Sequence, residues 1–240
     1  MNPRTSDILI AAIREFIESG EPVSSGELYG RHQFPVKPAT IRNELADLDE
    51  AGYLVQPHTS AGRVPTDKGY VFFVETVLRE LADFPHARMP HRMGVMYAEF
   101  FRGAFDDLVS DLAEELRVLG VGYETGGGAI YKSGLDDLVE ELVAEGELSR
   151  ISEITDIIKD FEAMDERVNA LRHFIAKNGA PQVFVGRSPI TKSPHLSVIA
   201  DAFRIGDGET FVVAAVGPRR MDYEENLRFF VNLRRMVEER

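Results

Sequence analysis

Cysteine is absent from all 240 residues. Its absence excludes disulfides, thiolate zinc sites and cysteine nucleophiles together, and it fits a reducing compartment. Long hydrophobic runs are missing too. FVVAAV at 211–216 falls far short of the roughly 20 apolar residues of a membrane helix, and the N-terminus lacks the charged and apolar regions of a signal peptide. A cytoplasmic protein with no membrane association is therefore expected. Potential metal ligands are sparse: His86 and His91 lie around Pro90 with no third ligand nearby, so neither a metal nor another cofactor is expected. Positive charge is also scarce, with 27 Lys/Arg against 40 Asp/Glu and a net charge of −13, which at first argues against nucleic acid as a partner.

What remains is the composition of a soluble globular protein, 44% apolar and 28% charged, at a length that predicts two domains of ordinary size. The distribution of charge matters more than its sum. Residues 31–43 hold Arg31, Lys37 and Arg42 with no acid, and residues 51–66 hold Arg63 with none, while Glu44, Asp47, Asp49 and Glu50 cluster between them. A local basic face survives on an acidic protein because fields decay within a Debye length, about 8 Å at physiological salt.

Three helical patterns open the chain. Ser6 to Ser19 carries an apolar stripe from Ile8 to Ile17 and stops at Gly20; a short helix follows, with Ser24 or Ser25 as N-cap and Glu27 near its start. KPATIRNELADLDEAGYL is the third, with Pro38 at its first position and Gly52 at its end. Ile41, Leu45 and Leu48 form its buried stripe, so Ala39, Thr40, Arg42 and Asn43 project from the other faces of its N-terminal half. A helix entering a major groove end-first needs that polarity, with donors in front and acids behind; an ordinary solvated face would share it. Then come two short strands around the polar tip HTSAG, where Gly62 is free to take a positive φ, and Thr66 caps the next helix. Three helices and a ribbon make a winged helix-turn-helix, with Arg63 read as a cation on the wing tip.

EPVSSGELYGRH, KPATIRNELADLDEAGYLVQPHTSAGRVPTDKGY and VAAVGPRRMDY resemble the heat-inducible transcription repressor HrcA family. Lys37 stands where members usually have Ser, which removes an N-cap and adds a charge. The candidate DNA-contacting set is Lys37, Ala39, Thr40, Arg42, Asn43, His58, Ser60, Arg63 and Lys68, with Lys37, Arg63 and Lys68 assigned to phosphates. The resemblance implies a repressor of heat-shock chaperone operons that binds an inverted repeat of double-stranded DNA as a homodimer, with a GroEL-type chaperonin as modulator. It also implies a GAF-like second domain. Members are longer by on the order of 100 residues, a deficit placed around 85–130, where the family carries an inserted dimerisation domain.

The expected division is a winged helix-turn-helix at 1–82, a linker at 83–94 and a GAF-like α+β domain at 95–240. Val95 to Leu119 reads as one long connecting helix whose stripe is either a dimer seam or a face packed on its own domain's sheet. GGGAIYKS fails as a phosphate loop, because Tyr131 stands where the second glycine belongs and AIY reads as a strand. Acidic helices follow at 134–147 and 151–177, then strands in PQVFVGR, HLSVIADAFRI and ETFVVAAVG, and a last helix from Glu224 to Glu238. In GPRRMDY, the residues Arg219, Arg220, Asp222 and Tyr223 suit either an anion or effector site or a structural corner in which Asp222 caps that helix. No nucleophile has a nearby base, so no enzyme is expected. Two alternatives stay open: a ligand-sensing regulator whose second domain binds a small molecule, and a winged helix that binds protein.

Overall fold

The computed structural model describes residues 1–83, 92–144, 151–168, 180–206 and 208–238. The chain divides into two compact units, Met1–Val77 and Leu78–Arg240. Most of the linker read at 83–94 lies outside the described residues, as do the ends of the two acidic helices, 145–147 and 169–177.

The first unit runs α1 (Pro3–Ser19), α2 (Ser25–Arg31), α3 (Pro38–Glu50), β1 (Leu54–Val55), β2 (Val64–Pro65) and the start of α4 (Asp67–Asp83). Helix α1 begins earlier than its apolar stripe suggests, because the Asn2 side chain accepts from the Thr5 amide at 2.9 Å and Pro3 takes the first turn. Ser24 and Glu27 close a capping box on α2. Thr66 Oγ1 accepts from the Gly69 amide at 3.2 Å and donates to the Gly52 carbonyl at 2.7 Å, so one hydroxyl starts α4 and ties it to the end of α3. Ile8, Leu9, Ile13, Leu28, Ile41, Leu45, Leu48, Tyr70 and Phe73 are buried between these helices.

The second unit is α+β. Its five-stranded antiparallel sheet has the order β4-β3-β7-β6-β5, from β3 (Leu119–Glu124), β4 (Ile130–Ser133), β5 (Gln182–Val185), β6 (Leu196–Gly206) and β7 (Glu209–Pro218). One face carries Leu119, Val121, Val198, Ala200, Val212, Ala214 and Val216 against α7 (Leu135–Ala144) and α8 (Ile151–Glu162). The other face is covered by aromatic rings: Phe105 stacks on Phe211 at 4.1 Å and Phe100 meets Phe203 edge-on at 5.6 Å. The last helix, α9 (Tyr223–Glu238), is anchored there by Arg234, whose Nε donates to the buried Asp201 at 2.9 Å while Nη2 grips the second carboxylate oxygen.

The long connecting helix is corrected. It is two helices, α5 (Met93–Arg102) and α6 (Phe105–Leu116), followed by the start of β3. Gly103 takes φ 70°, its amide closes α5 onto the Glu99 and Phe100 carbonyls, and Ala104 is non-helical. The apolar spacing runs unbroken across this elbow, so periodicity alone could not reveal it. Strand β3 was hidden for a related reason: Gly120 and Gly122 weaken its signal, yet a Cβ at either would come within 2.7 Å of Val109 on α6. The glycines let the helix sit directly on the strand. Among the described residues no helix is long and apolar enough to cross a membrane, and no group of three or more His, Asp or Glu is placed to hold a metal.

Candidate nucleic-acid interface

Helix α3 is fixed in rotation before it presents anything outward. Ile41, Leu45 and Leu48 are buried, and so is Glu44, which accepts from Arg4 Nε at 2.9 Å and from the Thr5 hydroxyl at 2.5 Å. The Thr5 hydroxyl, with help from the Arg4 guanidinium, holds the Glu44 carboxyl below the ordinary range, so it is a charged clamp between α1 and α3. In the sequence Glu44 looks like one more acid at the rear of the helix. Its partners come from residues about 40 positions away, and no local signal marks them.

With that stripe buried, Lys37, Ala39, Arg42 and Asn43 are exposed and Thr40 is half-buried. Among the described residues, no hydrogen bond or ion pair engages the Lys37, Arg42 or Asn43 side chains. Lys37 occupies the N-cap position with no side-chain hydrogen bond, and since Pro38 has no N–H and the Thr40 amide donates to the Lys37 carbonyl at 2.9 Å, the helix start carries its partial positive charge and an ammonium together. Arg31, counted at first with this basic stretch, is committed elsewhere: its Nη1 pairs with Glu15 at 2.7 Å, beside His32 on the same carboxylate at 3.0 Å. The exposed acids Asp47 and Glu50 lie in the other half, and the ends of this 13-residue helix stand roughly 18 Å apart.

The wing differs from its sequence reading in three respects. Arg63 is at the base of the loop that forms the tip, next to Val64, and not at the tip itself: its backbone pairs with Val23 in both directions, at 2.8 and 2.9 Å. Its side chain is only 16% exposed and lies 3.2 Å from Asp49, close enough for an ion pair but not aligned as a hydrogen bond. Lys68 likewise points away from the front of α3, donating to the Ala51 carbonyl at 2.7 Å with its ammonium 4.1 Å from the Tyr53 ring centroid. Gly62, finally, has no positive φ. Glycine is needed there because a Cβ would come within 2.4 Å of the Pro22 carbonyl oxygen. The tip proper is held by Gln56, whose amide donates to the Thr59 and Ala61 carbonyls at 3.2 and 2.8 Å, leaving His58 and Ser60 exposed.

The GPRRMDY segment runs from the end of β7 into the start of α9. Asp222 accepts from the Glu225 amide at 2.9 Å and caps α9, while the buried Tyr223 hydroxyl bonds the Ser197 hydroxyl and the Arg219 carbonyl, each at 2.8 Å. The Arg219 amide donates to the His195 carbonyl at 3.0 Å, and Arg220 follows it in the turn between β7 and α9. Lys132 of the failed phosphate loop pairs with Asp165 at 2.7 Å, on a strand that follows a hairpin turn.

Known proteins resemble the chain in both units. A crystal structure of a hypothetical protein at 2.2 Å resolution superposes with a TM-score of 0.78 over 99% of this chain and 98% of its own, at 17% identity, which establishes a shared fold. The Heat-inducible transcription repressor HrcA of Natranaerobius thermophilus is 46% identical over 89 residues, covering 37% of this chain and 26% of the relative. The same-named protein of Caldanaerobacter subterraneus subsp. tengcongensis is 40% identical over 116 residues, 48% and 32% of the two chains, and that of Beutenbergia cavernae 56% over 72 residues, 30% and 20%. The matched segments thus span a fifth to a third of these relatives' lengths. The family description "HrcA protein C terminal domain" matches residues 79–226, well over half of the chain. With that match, the chain belongs to the HrcA family.

Proposed function

We propose that this protein is a sequence-specific DNA-binding transcriptional repressor of heat-shock chaperone operons, acting in the cytoplasm as a homodimer on an inverted repeat. The observation that carries the reading is the free donor surface at the front of α3, where Lys37, Arg42 and Asn43 are exposed and unengaged on a helix locked by Glu44. Thr40, Arg42 and Asn43 read base edges, Ala39 offers a small apolar contact, and Lys37 meets phosphate. His58 and Ser60 on the wing tip approach the adjoining backbone. Arg63 and Lys68 serve at one remove: the first fixes the base of the wing loop through Val23 and Asp49, the second closes the rear of α3. Bound at a promoter, the dimer represses by occlusion, and a GroEL-type chaperonin sets how much active repressor is present.

Selection of bound DNA from random sequence at two salt concentrations tests this. Recovery of an inverted repeat, with binding that weakens steeply as salt rises, is the expected result. No enrichment at either salt overturns it and favours a winged helix that binds protein.

A further inference from the structure

Beside the elbow between α5 and α6 lies a cavity of about 220 Å³, lined by Phe100, Phe101, Gly103, Phe105, Arg204 and Ile205. Its chemistry is uneven. Three aromatic rings and an isoleucine supply the walls, and one guanidinium supplies the only charge among the described lining residues. Arg204 is exposed and makes no hydrogen bond or ion pair among the described residues. It sits where the β6–β7 register shifts between Arg204 and Gly206, the kind of irregularity that re-aims side chains at a sheet's end. Phe101 is 39% exposed, a large ring left partly uncovered in a cluster where the Phe100 ring already meets those of Phe101, Phe105, Phe203 and Phe211 at 5.3 to 6.4 Å.

We propose that this cavity is a binding site for a small aromatic monocarboxylate, with its ring among Phe100, Phe101 and Phe105 and its carboxylate on Arg204. Size, shape and charge each support that class. An apolar cavity of about 150 Å³ holds a benzene ring, so this one has room for a single ring and its acid group. Aromatic walls favour an edge-on or offset ring over an aliphatic chain. A planar guanidinium matches a carboxylate with two parallel hydrogen bonds. The lining residues belong to the second unit, and the site does not depend on the repressor reading.

Titration calorimetry of the full chain, without DNA, tests the proposal with benzoate as probe and benzamide as its neutral counterpart. Saturable benzoate binding is expected, with benzamide weaker by about tenfold or more, the usual worth of a charge-assisted contact. Arg204→Gln should lose a similar factor while keeping the parent melting temperature, since the side chain is exposed and unpaired. Phe101→Ala should weaken benzoate and benzamide alike. No saturable benzoate heat, equal affinity for benzamide, or unchanged benzoate binding in Arg204→Gln would each overturn the site.

Discussion

On the proposed function, the side chains offered to DNA are those the fold leaves idle. Arg42 is exposed and unpaired, and as a base-reading residue its replacement by alanine should cost about 1–3 kcal/mol on a selected site and relax preference at one position, measured by fluorescence anisotropy across single-base variants. Lys37 is a trade between cap and charge. Lys37→Ser should raise stability by about 1 kcal/mol through a restored N-cap while lowering the salt slope of DNA binding by roughly one; an unchanged slope would remove Lys37 from the phosphate contacts. Glu99 shows the opposite economy. It is buried on α5 with Oε2 lacking a hydrogen-bond partner, and burial, with Asp111 and Asp107 nearby, pushes its carboxyl up. Above its unfolded value the native state binds more protons than the unfolded one, so Glu99 makes the fold less stable as pH rises through its native value. Glu99→Gln should therefore raise the urea midpoint more at pH 8 than at pH 5, both being trial conditions of about three units' separation.

At the level of elements, what could be read in advance was what the chain decides locally. Ser24 with Glu27, Thr66 and Asp222 cap their helices as their types and positions suggested, because the groups they bond lie within a turn, and Pro38 takes the first position of α3. The buried stripe of α3 was equally legible from its spacing. The α5–α6 elbow was not, because apolar periodicity passes through Gly103 unchanged. Nor were the partners of Arg63, since Val23 and Asp49 reach it only through the tertiary fold. That correction changes what an Arg63 variant should do. As a phosphate contact, Arg63→Ala would lower the salt slope by about one; as the base of the wing loop, it should weaken binding to all sequences, leave the slope unchanged and reduce wing order in amide exchange. In the second unit, the Asp201 and Arg234 pair is the comparable anchor. Removing either partner strands a buried charge, and Arg234→Ala should cost about 3–5 kcal/mol in chemical denaturation.

For the whole molecule, a charge of −13 sets the conditions under which a small basic face can work. On the proposed function, Lys37 and Arg42 act within a Debye length, about 8 Å at physiological salt, while a net negative charge repels DNA at longer range. Long-range repulsion and short-range attraction together disfavour loose, sequence-blind association. The division into Met1–Val77 and Leu78–Arg240 gives each unit its own core, and calorimetry of the full chain should resolve two transitions, of which operator DNA raises that of the first. The pairing of Val23 with Arg63 carries a kinetic consequence as well. It closes a loop of roughly 40 residues with two backbone hydrogen bonds, so the entropy of closure falls due before the contact repays any of it. The Arg4–Glu44 clamp spans the same separation, so the wing and the α1–α3 contact meet the same entropic cost of closure. On the proposed function, the part that faces a duplex is thus secured by a long-range closure and not by local pairing alone.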